Sequence, residues 1–203
     1  MCGRFVSASP PEEIAEYFAA MMMGDPLEPN FNVAPTLDVY VVYEDGSERK
    51  LDQFHWGLVP GFAKDVKIGN RMINARAETL ATNNSFKHSF ARRRCIVPAD
   101  GFYEWQAVAG QKRKQPYFIH RQDDEPLAFA GLWAEWRGQV AGEQVVVRST
   151  TIITTEANET MAPVHDRMPV ILPRRAWDEG SVARSSKDMV GPEKGPEVSP
   201  ICG

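Results

Sequence analysis

Hydrophobic and polar residues along this chain follow a period of two more often than a helical period. Val39 to Tyr43 reads as a strand, Asp45-Gly46 as a hairpin turn, and Arg49 to Trp56 as the returning partner. Cys95-Ile96-Val97-Pro98-Ala99 is a continuous apolar run of the length of a buried strand, with Cys95 a structural thiol. Pro116–His120, Leu127–Leu132, Val145–Thr154 and Val170–Leu172 are rich in β-branched and aromatic residues and predict further strands. Helical spacing appears in fewer places. Ile14, Tyr17, Phe18, Met21 and Met22 follow a helical stripe after Ser9-Pro10-Pro11-Glu12, where Ser9 can cap and Glu12 can close a capping box. Gly24 and Pro26 end that helix. Phe86 to Arg94 predicts a second helix, its Arg92-Arg93-Arg94 end favoured by the macrodipole, and Thr155 to Met161 a short third. Many strands, few helices and no βαβ alternation predict an α+β fold: a mainly antiparallel, barrel-like sheet with a few flanking helices. Residues 1–180 read as one domain. Residues 181–203, with three glycines and three prolines and little apolar content, read as an atypical or disordered tail in which Cys202 is incidental.

Composition narrows the class. The chain has 203 residues, 43% apolar and 25% charged, which suits one soluble domain with a real core. No stretch approaches the roughly 18 apolar residues of a membrane span, and no basic region followed by an apolar run marks a secretory signal. Three widely spaced cysteines form neither a disulfide framework nor a metal-ligand pattern, so no metal or cofactor is expected. A cytoplasmic monomer with reduced thiols is the default, nuclear in a nucleated cell. The net charge of −4 gives no global attraction to nucleic acid, so any such site must be a local basic face.

Candidate chemistry begins at Met1-Cys2-Gly3-Arg4-Phe5. Removal of Met1 would leave one residue carrying both an α-amine, of reference pKa about 8, and a thiol, of about 8.5. Such a 1,2-aminothiol condenses with an aldehyde to a Schiff base, which the thiol closes to a thiazolidine. It can also act as an N-terminal nucleophile with its own amine as base. Three further polar motifs stand in otherwise apolar surroundings: Asn74-Ala75-Arg76, Glu104 between Tyr103 and Trp105, and His165-Asp166-Arg167. Trp56-Gly57-Leu58-Val59-Pro60-Gly61-Phe62 leaves a strand into a loop whose apolar side chains suit either a core plug or a stacking platform for bases.

Six stretches in order resemble the SOS-response-associated peptidase (SRAP) family of abasic-site-processing proteins. They are Met1–Phe5, Asn32–Pro35, Trp56–Pro60, Ile73–Thr79, Arg94–Trp105 and Val164–Pro169, within residues 1 to about 178. The resemblance implies a sensor of abasic sites in single-stranded DNA. Its mature N-terminal cysteine would bond covalently to the ring-opened sugar aldehyde and shield the lesion. It also implies a peptidase activity limited to residues ahead of the cysteine. Carried over by position, Cys2 supplies amine and thiol, and Asn74 holds the amine or sugar. Glu104 is the acid/base, its pKa raised by its aromatic surroundings. His165 shuttles protons, oriented by Asp166 or Arg167. Arg4, Arg76 and Arg167 are candidates for the phosphate-binding face, with Arg92–Arg94 and Lys112–Lys114 secondary. Trp56, Pro60 and Phe62 are candidates for stacking or wedging beside the lesion.

Two departures stand out. Ala63 replaces a second bulky aromatic after Phe62, and the 181–203 stretch replaces a usual final strand. Two other functions use the same residues: an N-terminal-nucleophile amidohydrolase, which would turn over a peptide, and a non-covalent reader of modified or single-stranded DNA, which would not need Cys2.

Overall fold

The computed structural model describes residues 2–178 and 197–201. In chain order the strands and helices are β1 (Phe5–Ser7), α1 (Pro11–Tyr17), β2 (Met21–Met22), β3 (Asn30–Val33), β4 (Asp38–Asp45) and β5 (Glu48–Trp56). Next come β6 (Asn74–Arg76), α2 (Lys87–Arg92), β7 (Arg94–Ala99), β8 (Gly101–Gln106), β9 (Gln115–His120), β10 (Leu127–Val140) and β11 (Glu143–Glu156). The last are β12 (Arg167–Pro169), α3 (Arg175–Asp178) and β13 (Glu197–Pro200). Short 3-10 helices occupy Val66–Arg71 and Ala77–Thr79.

Five strands close a ring. β5 pairs with β4, β4 with β7, β7 with β10 and β10 with β11, and β11 returns to β5 through Ser149↔His55 and Thr150↔Trp56. That closing contact is parallel, while the other four pairings are antiparallel. A second sheet runs β13-β9-β8-β1-β3. β1, only three residues long, lies inside this sheet, with Phe5 opposite both Phe102 and Val33.

Alternation along each strand sorts the core into two parts. Val39, Val41, Tyr43, Phe54, Trp56, Cys95, Val97, Phe129 and Ile152 cluster with Cys2, Phe5, Phe102 and Ile119 of the small sheet and its approach. The opposite residues, Tyr40, Val42, Ile96, Ala128, Ala130 and Leu132, pack with Ile14 and Phe18 around α1 and with Trp177 of α3. Phe5 is the joint of the first part: its ring lies edge-on to Trp56, centroids 5.0 Å apart, and to Phe129 at 6.2 Å.

Several local expectations change. Ser9 does not cap α1. Pro10 holds that position, and the Ser9 hydroxyl donates to Asp100 Oδ1 at 2.5 Å. The helix ends at Tyr17, and Met21-Met22 extends to pair with Lys50 and Leu51 of β5, because tertiary pairing overrides the local helical stripe. No helix forms over 155–161: Thr155 and Glu156 end β11, and turns follow at 159–164, organised by Asn158, whose Oδ1 accepts from the Met161 amide at 2.9 Å. The strand expected at Val170–Leu172 lies earlier, at Arg167–Pro169, and Ile171 makes an isolated bridge to Phe129. β10 and β11 run on to a tight turn at Ala141-Gly142, both at positive φ, as a two-residue hairpin requires. Within the stretch read as a tail, Glu197–Pro200 pairs antiparallel with β9 and supplies a sheet edge, while Cys202 lies outside the described residues.

The loop after β5 depends on two glycines. Gly57 has φ of +144°, and a Cβ there would meet the Gly69 carbonyl oxygen at 2.6 Å; a Cβ on Gly69 would meet the Gly57 carbonyl oxygen at 2.4 Å. This backbone approach folds Val66–Arg71 under the loop and leads the chain into β6. Gly57→Ala adds both the positive-φ strain and the clash, so its expected cost is at least ~2 kcal/mol, read as a lower urea-unfolding midpoint at unchanged slope.

Candidate active site

Three separate elements bring the chemistry to the N-terminal segment. The segment is pinned at one end by Asp100, whose carboxylate accepts from the Ala8 amide (2.6 Å), the Ser9 amide (3.0 Å) and the Ser9 hydroxyl (2.5 Å). Phe5 holds its middle in the core. At the far end the Asn74 Nδ2 donates to the Cys2 carbonyl at 2.9 Å. Asn74 stands on β6, in parallel register with Ile152 of β11, so the closing strand of the barrel sets its position.

Cys2 is fully buried. Burial pushes its thiol well above the ordinary cysteine range, and the nearby Glu104 carboxylate pushes it further. The thiol is therefore neutral at physiological pH. Glu104 itself is 3% exposed. It sits on β8 with the parity of buried Phe102, while Trp105 beside it is 38% exposed, so alternation turns the carboxyl inward and the indole outward. Asn74 Oδ1 is also buried, with no hydrogen-bond partner among the described residues. A buried acceptor next to the Cys2 backbone matches an N–H donor that a freed α-amine would provide.

His165 follows the turns after β11. Val164 and Met161, which flank it, belong to the same core cluster as Cys2. Gln106, two residues beyond Glu104, donates from Nε2 to the Pro163 carbonyl at 2.6 Å and accepts from the Tyr117 hydroxyl at 3.1 Å. The strand bearing Glu104 is thus tied to the loop bearing His165. Sequence reading passed over Gln106 and Asp100; their only signal was lying within or beside a motif. The imidazole Nδ1 has two neighbours: the Arg167 amide at 3.0 Å, which needs it unprotonated, and Asp166 Oδ1 at 2.9 Å, which needs it protonated. With its proton on Nε2 the ring takes the first, and with a proton on Nδ1 the second, so both Asp166 and Arg167 contact it.

The nucleic-acid candidates separate. Trp56 and Pro60 are buried, and the Trp56 Nε1 donates to the Ile73 carbonyl at 3.0 Å, so these two plug the core and offer no face to a base. Phe62 is 68% exposed. Arg76 is exposed two residues from Asn74, and Arg4 is half-buried with its guanidinium on the Gly3 carbonyl at 2.8 Å. Arg167 is not an open phosphate fork: its two terminal nitrogens clasp Glu78 at 2.7 and 3.1 Å, and one of them also donates to the Thr154 carbonyl at 2.8 Å. That pairing holds the Glu78 carboxyl below its usual range. The described residues hold no cluster of three or more His, Cys, Asp or Glu that could bind a metal, and no helix long and apolar enough to cross a membrane.

A model of the SOS response associated peptidase (SRAP) family matches residues 1–187. The chain belongs to that family. Among similar proteins, the abasic site processing protein YoqW of Bacillus subtilis is 44% identical over 174 residues, covering 85% of this chain and 76% of that one. The abasic site processing protein YedK of Escherichia coli is 34% identical over 186 residues, covering 88% and 78%. A solved Bacteroides thetaiotaomicron protein superposes with a TM-score of 0.85 at 22% identity, over 99% of this chain and 92% of that one, which shows a shared fold.

With Met1 in place, the neutral, buried Cys2 thiol is expected to resist alkylation in the native state. At pH 8 a free cysteine is partly thiolate, whereas a thiol of raised pKa is not, so iodoacetamide labelling should lag unfolded protein by at least about 100-fold. Mass mapping of labelled Cys2 checks this; equal rates would show the thiol to be open.

Proposed function

We propose that this chain captures abasic sites in single-stranded DNA through Cys2 after Met1 is removed. The observation that carries the proposal is the enclosure of Cys2: its carbonyl on Asn74 Nδ2, its thiol buried beside Glu104, and the Oδ1 of the same Asn74 buried with no hydrogen-bond partner among the described residues. The names of the Bacillus and Escherichia relatives support abasic DNA as the target.

In this reading the ring-opened abasic sugar presents an aldehyde. The Cys2 amine adds to the carbonyl carbon, and loss of water gives a Schiff base. The Cys2 sulfur then adds to the imine carbon while its proton passes to the imine nitrogen, closing a thiazolidine with no oxidant or reductant. Glu104 carries protons for ring opening and dehydration, and His165 relays them. Asn74 Oδ1 accepts from the amine and aims its lone pair. Arg4 and Arg76 face the backbone phosphates, and exposed Phe62 and Trp105 stack on unpaired bases, which duplex DNA would withhold.

The test is intact mass and a denaturing gel after mixing with an abasic oligonucleotide, single-stranded beside duplex. Protein lacking Met1 is expected to form a heat-stable adduct on the single strand. Cys2→Ala should give none, and Glu104→Gln should slow formation by about 100-fold. Turnover of a peptide without any adduct would point to the amidohydrolase, and binding that survives Cys2→Ala with no adduct in the parent protein to a non-covalent reader.

A further inference from the structure

The Glu78–Arg167 ion pair stands beside the site, four residues beyond Asn74 and two beyond His165, and its side chains have no place in the chemistry above. Glu78 belongs to the short 3-10 helix Ala77–Thr79 that follows β6, and so to the segment carrying Asn74. Arg167 opens β12 and follows His165 by two residues. The Arg167 side chain is 11% exposed, against 46% for Glu78. Both terminal nitrogens reach Glu78 and one also reaches the Thr154 carbonyl, while Nε is buried with no hydrogen-bond partner among the described residues. A guanidinium this enclosed is tolerable only while its carboxylate partner stays. Without Glu78 it must move toward water and draw the start of β12 with it. The same residue's backbone amide is the donor that reaches His165 Nδ1 at 3.0 Å.

We propose that Glu78 is a positioning residue that acts through Arg167 to hold His165 in one tautomer and one aim. The Arg167 amide donates to Nδ1, so the neutral ring carries its proton on Nε2. Asp166 Oδ1, 2.9 Å from the same Nδ1, is the competitor: when the Arg167 amide shifts, Nδ1 can keep a proton for Asp166 and Nε2 loses its own. Glu78 thereby links the segment that holds Cys2 through Asn74 to the loop that presents the proton carrier. The inference rests on the capture reading only for its effect on rate; the tautomer is a property of the protein alone.

The experiment compares the parent chain with Glu78→Ala and Glu78→Gln by nitrogen-15 NMR of the histidine rings, His165 being assigned through His165→Gln. In the parent, neutral His165 should show the Nε2–H pattern. In Glu78→Ala the pattern should shift toward the Nδ1–H form, with the other three histidine signals unmoved as evidence of an intact fold. Glu78→Gln, which keeps one acceptor, should fall between. Adduct formation on an abasic single strand should drop by about tenfold in Glu78→Ala, part of a general acid–base contribution, with affinity for an undamaged strand unchanged. An unaltered His165 pattern in Glu78→Ala overturns the proposal. So does a loss of affinity for undamaged strand with the tautomer intact, which would assign the pair to phosphate binding. A parent protein that forms no adduct sinks the capture reading, and the ring pattern still decides the positioning role.

Discussion

The architecture depends on an N-terminus built into the core. Phe5 is fully buried between Trp56 and Phe129, and its backbone is hydrogen-bonded into the small sheet between β8 and β3. Chain ends ordinarily fray, since few contacts offset the entropy of ordering them. Here one buried aromatic, a carboxylate taking three donors at Asp100 and an amide on the Cys2 carbonyl confine the whole segment. Everything proposed for Cys2 follows from that confinement, because a mobile aminothiol would have no defined neighbours.

The barrel turns this anchoring into a site. β11 is its hub: it closes the ring onto β5, carries β6 with Asn74 alongside, and ends at the turns leading to His165. The small sheet brings Glu104 from the other side, and Gln106 ties that sheet to the Pro163 carbonyl. Residues 2, 74, 104 and 165 are far apart in the chain, yet each is placed by a β-ladder or a turn fixed to a ladder. Precise placement of reacting groups on rigid elements is what acid–base chemistry at a buried centre requires.

Burial also sets the electrostatics. A thiol deep in apolar surroundings and beside a carboxylate stays protonated, which separates this cysteine from one activated as a thiolate. The positive charges divide likewise. Arg167 is turned inward onto Glu78, whereas Arg76 is exposed.

The sequence by itself determined the fold class, most of the strands and both longer helices, and it marked the four polar residues proposed for the site. These were legible because period-two alternation, turn residues and short motifs are local properties. Tertiary structure decided the rest. Met21-Met22 became a strand because β5 offered an edge, and the stretch after β11 turned instead of coiling into a helix because Asn158 captured the Met161 amide. Trp56 went inward with the alternation of β5, and Pro60 went inward in the loop that the Gly57–Gly69 approach folds back. Glu104 faced inward because β8 takes its register from β1 and β9, a choice its own neighbours left open. Arg167 found Glu78 across 89 residues of chain, a pairing that depends on where two loops meet in space and leaves no mark in either motif.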